Sequence, residues 1–185
     1  LEPVETPWGP AVDPVSAAIG VAADLPLPQA LMVVDPVATL LAGTTDRFTL
    51  ASQQCRTRVR RLLQERADLP VTRLADPAAE SPAESFYRGH MLVAGFPESR
   101  CGVPRRGASG KQFFVDILLD GLAIEIDGAV KYTGLEALTA EKLREDDLRE
   151  TGLGFHRVFV EHLFADPSSE MERLHNRSAR HVRRA

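Results

Sequence analysis

Three acids stand in two short apolar runs, Asp116 in residues 113–119 and Glu125 and Asp127 in residues 122–127. Asp120-Gly121 joins the runs, and a two-residue Asp-Gly junction between apolar runs is the strongest short signal for a β-hairpin. With Leu119 and Leu122 flanking the turn, Asp116 falls opposite Glu125 and Phe114 opposite Asp127. Directly opposed residues bring their Cβ atoms to about 4.5–5.5 Å. Strand alternation then gathers Asp116, Glu125 and Asp127 on one face and Val115, Ile117, Ile124 and Ile126 on the other. Opposed carboxylates repel, so the pair needs a shared proton or a hard divalent cation held by oxygen ligands. Mg²⁺ (or Mn²⁺) suits Asp plus Glu with open coordination positions, and such an ion activates water and neutralises charge on a phosphate under attack. The alternative is a solvated hairpin face. It fits less well because Phe114, Leu118 and Ala123 make that face mostly apolar too, and strands buried on both sides read as near-continuous hydrophobic runs.

Lysine is scarce, with Lys111, Lys131 and Lys142 against nineteen arginines. Lys131 follows the acidic strand closely, where an ammonium can orient a water or stabilise negative charge at a phosphate. Taken alone it is equally an ordinary surface lysine. Downstream, Lys142, Arg144 and Arg149 are candidate nucleic-acid contacts, while Glu141, Glu145 and Arg149 also have the i,i+4 spacing of an exposed helix face. Arg173, Arg177, Arg180, Arg183 and Arg184 place cations near a helix C-terminus, which the dipole favours, or against a nucleic-acid backbone. Arg56, Arg58, Arg60 and Arg61 pose the same choice between phosphate contact and a solvated face. His90, His156 and His162 lack metal-ligand spacing, and no Walker A loop, dinucleotide glycine fingerprint or cysteine-rich finger occurs.

The set resembles the PD-(D/E)XK nuclease superfamily, more closely its very-short-patch-repair-like endonuclease domains. In actinobacterial proteins these follow a winged-helix segment of the AbiEi antitoxin type. The likeness rests on Glu84-Ser85, Val115-Asp116, Ile124-Glu125-Ile126-Asp127-Gly128 with Lys131-Tyr132, residues 141–146 with Leu148-Arg149, Gly152 and Arg157. It covers roughly residues 81–163. The resemblance implies an αβββαβ core, Asp116 and Glu125 as Mg²⁺ ligands, Asp127 as a further ligand or supporting acid, Lys131 as the basic residue and Glu84 as an active-site acid. The superfamily's usual acid-x-Lys puts its base where this chain has Asp127, which leaves the general base open. Glu84 also has a structural explanation, because Ser81 and Glu84 have capping-box spacing with Pro82 in the first turn.

The elements expected around these residues fall into two parts. Residues 1–75 read as helical: Asp13-Pro14 opens one helix, Gln29 to Leu41 forms a second kinked or split at Asp35-Pro36, and Thr45-Asp46 caps a third through Arg66. Residues 67–80 read as a linker, with the domain boundary there. Residues 76–185 read as an α/β domain: a helix from Ser81 to about Ala94, a short strand over 99–103, a polar turn over 104–110, the hairpin, a helix over 135–151 closed by Gly152, a strand over 155–160, and a final helix from Asp166-Pro167. The expected fold is a three-layer core around a mixed sheet, preceded by a helical segment.

The 185 residues suffice for one or two domains with a real core, and the balance of 44% hydrophobic and 26% charged residues excludes wholesale disorder. No stretch reaches the roughly 20 apolar residues of a membrane span. No signal peptide is visible, and two cysteines, Cys55 and Cys101, point to a reducing, cytoplasmic setting. The net charge of −4 argues against a purely electrostatic nucleic-acid binder. Its distribution is uneven, with ten acids against five bases over 111–150. An acidic centre between basic segments suits a cation site beside a polyanion. The chain begins at Leu1, so an upstream domain is expected. Two functions follow as expectations: a metal-dependent endonuclease hydrolysing DNA, or a DNA-binding regulator or antitoxin-type protein that keeps the nuclease fold as scaffold.

Overall fold

A computed structural model describes residues 3–128 and 135–182. Its contacts divide the chain into two units, residues 1–89 and 90–185.

The first unit opens with a hairpin that the helical expectation did not include, β1 (Val4–Thr6) against β2 (Gly9–Ala11). In α1 (Pro14–Ala22), Asp13 caps the helix by accepting from the Val15 and Ser16 N–H groups, as its spacing ahead of Pro14 predicts. Helix α2 (Leu27–Ala42) runs on through Pro36 and ends at Gly43, φ 67°. Proline deletes one intrahelical bond, yet the helix continues because Leu31, Val34, Asp35 and Ala38 form a buried stripe across that turn. The expected third helix is broken into α3 (Arg47–Leu50) and α4 (Gln53–Gln64), since the Ser52 hydroxyl caps the second piece at the Cys55 N–H. Residues 67–80 are not a linker. They carry α5 (Pro70–Leu74), and Thr72, Ala75 and Asp76 are fully buried.

That packing decides the arginines of α4. Arg56 pairs with Asp76 with both side chains buried, Arg58 donates to the Ala42 carbonyl at 2.7 Å, and Arg60 donates to the Ala75 carbonyl at 2.7 Å. Arg56 and Arg60 are thereby taken into the unit's packing, whereas Arg58, although tied to the Ala42 carbonyl, is exposed like Arg61. A second buried pair joins α2 to α6 (Pro82–Val93), where Arg88 Nη2 lies 2.8 Å and 3.0 Å from the two Asp35 oxygens.

The second unit is α/β, built on a four-stranded mixed sheet in the order β3-β4-β5-β6. β3 (Arg100–Arg106), β4 (Gln112–Leu119) and β5 (Leu122–Asp127) are antiparallel, and β6 (Gly154–Phe159) runs parallel to β5. β3 reaches further than expected: Pro104, Arg105 and Arg106 belong to the strand, opposite Phe114, Phe113 and Gln112. Proline is tolerated there because β3 is an edge strand and one side of it needs no ladder donor. All six residues of β5 are buried, as a strand covered on both faces requires. One cover is α7 (Leu135–Arg149), whose Leu148 joins a cluster with Val103, Val115, Ala123 and Phe155. The other is α9 (Pro167–Val182), whose Glu170 meets His156 of β6 at 2.9 Å, after a short α8 (Val160–Ala165) that the sequence reading missed. The β3–β4 loop holds α7 in place, since Asp147 accepts from the Ser109 N–H at 2.6 Å. Gly107 permits this approach, because a Cβ there would lie 2.3 Å from Asp147 Oδ2. No helix among the described residues is long and apolar enough to cross a membrane, and Cys55 and Cys101 are both buried.

Candidate active site

The Asp120-Gly121 turn has positive φ at both residues, 44° and 79°. Two residues at positive φ make the tight turn whose twist matches the flanking strands. The register follows, with Leu119 opposite Leu122, Leu118 opposite Ala123 and Ile117 opposite Ile124. The paired ladder ends there, and beyond it Asp116 lies near enough for its charge to act on Glu125. There the regular ladder gives way to a side chain: the Ile126 N–H donates to Asp116 Oδ2 at 2.8 Å. A backbone amide of β5 thus anchors the Asp116 carboxylate.

Glu125 is 7% exposed. Burial pushes its pKa up, the Asp116 charge adds to that, and Arg144 opposes both, leaving it at about 7. Arg144 descends from α7, with Nη2 3.1 Å from Glu125 Oε2, and it grips Glu141 through two bonds of 2.9 and 2.8 Å. Burial works against its charge, but Glu141 and Glu125 outweigh that and raise its pKa above the ordinary arginine value. Asp127 is also buried, and its Oδ2 lies 3.2 Å from Arg157 Nε in an ion pair without hydrogen-bond alignment. Arg157 continues to Glu145 at 2.9 Å.

The structure sets Asp116 close enough to Glu125 for its charge to act there and adds Arg144 of α7 as the cation on Glu125, while Asp127 pairs instead with Arg157. Lys142 is exposed on α7, and Arg149 turns to Glu145 and the face of Phe155, 4.8 Å from the ring centroid, away from Glu125. Lys131 lies outside the described residues. Glu84 belongs to the first unit, where Oε1 accepts from the Ser81 hydroxyl at 2.8 Å and Oε2 from the Glu80 N–H at 2.9 Å. This is the capping role with the carboxylate reaching one residue further back than a standard box. The sequence reading did not single out Arg157 as a site residue. Its signal is the parallel register that sets Glu125 beside Arg157, which exists only once β6 pairs with β5.

Among the described residues no group of three or more His, Cys, Asp and Glu is placed to hold a metal ion. Asp116 and Glu125 offer two carboxylates, the donor number and type that Mg²⁺ takes when water and substrate phosphate complete its octahedron. The raised Glu125 pKa comes first from burial, with the nearby Asp116 charge adding to it.

A pH prediction follows. The folded chain holds the Glu125 proton up to about pH 7, while the ordinary value is 4.5. The unfolded chain releases that proton first, so stability falls as pH rises from about 4.5 to about 7. At about 1.36 kcal/mol per pH unit the loss is roughly 3 kcal/mol. Glu125→Gln flattens this stretch of a denaturant-midpoint profile measured with chelator present. A mutant profile as steep as the original contradicts the assignment.

No protein-family model, no curated protein and no solved structure matches the chain.

Proposed function

We propose that the second unit is a restriction-endonuclease-like phosphodiesterase that hydrolyses DNA with Mg²⁺ or Mn²⁺, in a cytoplasmic setting. The observation that carries this is the pairing of half-buried Asp116 with buried Glu125 at a tight hairpin, beside Arg144 of α7. In the second unit the order β3, β4, β5, α7, β6, preceded in the chain by α6, also follows the αβββαβ order of the nucleases whose motifs the chain resembles. Asp116 and Glu125 would hold the ion, with Asp127 beside them. When bound, the ion supplies a nucleophilic water at neutral pH and neutralises charge on the phosphate. The chain does the positioning. The Ile126 amide fixes Asp116, and Arg144 holds Glu125 on one side while remaining charged beside any phosphate that reaches the pair. Lys131 would steady the attacking water or the phosphoryl oxygens.

One observation favours a second reading, a DNA-binding regulator or antitoxin-type protein on a nuclease scaffold. Arg144 sits on Glu125 and Arg157 on Asp127, so much of the acidic charge is already offset, and an acid occupies the usual place of the base. Titration calorimetry with Mg²⁺ and Mn²⁺, paired with nicking assays on several DNA forms, separates the readings. Metal binding with cleavage supports the enzyme, and DNA binding with neither supports the scaffold.

A further inference from the structure

A groove of about 410 Å³ opens beside β6, lined by Arg149 and Arg157 on one side and by Arg173, Arg177 and Arg180 of α9 on the other. Glu145 is the single carboxylate in its lining, in a chain whose net charge is −4. Five guanidinium groups are thus concentrated in one concave place against the sign of the whole chain. Arg173, Arg177 and Arg180 have i, i+4, i+7 spacing, which sets them in one row on the helix. The row is about 10 Å long at 1.5 Å per residue. One DNA strand advances about 3.4 Å of axis per phosphate, so the row matches about three phosphates.

The guanidiniums are also oriented. Arg177 donates twice to the Phe155 carbonyl, at 3.1 and 2.9 Å, Arg173 bonds Glu170 at 2.9 Å, and Arg149 and Arg157 share Glu145. An arginine fixed by one partner keeps further donors in its planar fork, the geometry that suits phosphate. Apart from the Asn176 amide, the groove's lining is dominated by guanidiniums. Phe155 is 5% exposed and lies under Arg149, so no aromatic face is open for stacking. Arg157 faces both ways, lining the groove and pairing with Asp127.

We propose that this groove holds the phosphodiester backbone of a DNA strand, independently of base sequence, and delivers it alongside the Asp116–Glu125 pair. The inference deepens the phosphodiesterase reading by naming where the strand is held, but the binding itself needs no metal. The test is fluorescence anisotropy of a short labelled duplex with the full chain, at low salt and with chelator present. Arg173→Gln/Arg180→Gln, two exposed positions, is expected to weaken binding on the order of tenfold and to make the salt dependence less steep by about two counterions. Arg180→Gln alone, which leaves the Arg173–Glu170 pair in place, is expected to weaken binding by a smaller factor and to keep the parent's thermal midpoint, which separates lost contacts from lost fold. Asp116→Asn/Glu125→Gln, which removes carboxylates rather than guanidiniums, is expected not to weaken binding. Arginine-dependent binding in a chain that never cleaves sustains the groove and removes the phosphodiesterase. An affinity unchanged in the arginine variant, no duplex binding by the parent, or inorganic phosphate bound as tightly as the duplex overturns the inference.

Discussion

Asp116→Asn is expected to abolish Mg²⁺ binding by calorimetry and to lower DNA cleavage by on the order of a hundredfold or more, the scale of losing a group that stabilises charge in the transition state. The substitution isolates charge from architecture. An asparagine oxygen still accepts the Ile126 N–H that Asp116 takes at 2.8 Å, so the hairpin keeps its anchor. What disappears is one of two negative charges facing each other, and with it the demand for a cation. Because that charge also helps to raise Glu125, the variant is expected to bring the Glu125 pKa down, read as a flatter stability profile below pH 7. Cleavage that persists in Asp116→Asn rules out this pair as the ion site. A profile that flattens without any effect on cleavage leaves the pair as an electrostatic feature of the fold alone.

The largest stability effect lies elsewhere. Arg88→Met is expected to cost about 3–5 kcal/mol in chemical denaturation, the range for removing one partner of a buried ion pair. Asp35 and Arg88 are both fully buried, and Asp35 also accepts the Asp76 N–H at 2.9 Å. Burial already pushes the Asp35 pKa above 3.8, and Arg88 is the main force opposing it. Without Arg88 the folded chain favours the neutral acid, so the variant's deficit shrinks as pH falls towards 3.8. Asp35→Leu with Arg88→Met is expected to recover most of the loss, since a matched apolar pair leaves no buried charge behind. A single variant within about 1 kcal/mol of the parent would mean that water reaches Asp35.

These two sites differ in how they were encoded. The Asp120-Gly121 hairpin and its register from Leu119–Leu122 to Ile117–Ile124 are legible because every determinant is local: an Asp-Gly junction, two apolar runs, and a side-chain period of two. The cap of α1 by Asp13 and the opening of α9 at Asp166-Pro167 were readable for the same reason, as side chains acting within a few residues. Arg88 and Asp35 lie 53 residues apart, and neither carries a local sign of the other. The arginines of α4 look like a solvated face until the Ala42 and Ala75 carbonyls come within reach. Pro36 looks like a break until the surrounding stripe is buried.

By itself, then, the amino-acid order determined the class of fold, the hairpin and the acids placed on it. The tertiary structure alone decided that α7 lowers Arg144 onto Glu125, that β6 runs parallel and brings Arg157 to Asp127, and that three arginines of α9 face two others across a groove. The reason is physical. Backbone sterics and alternation act over a turn or two of chain, whereas a charge finds its partner only after burial of apolar surface has brought distant segments together.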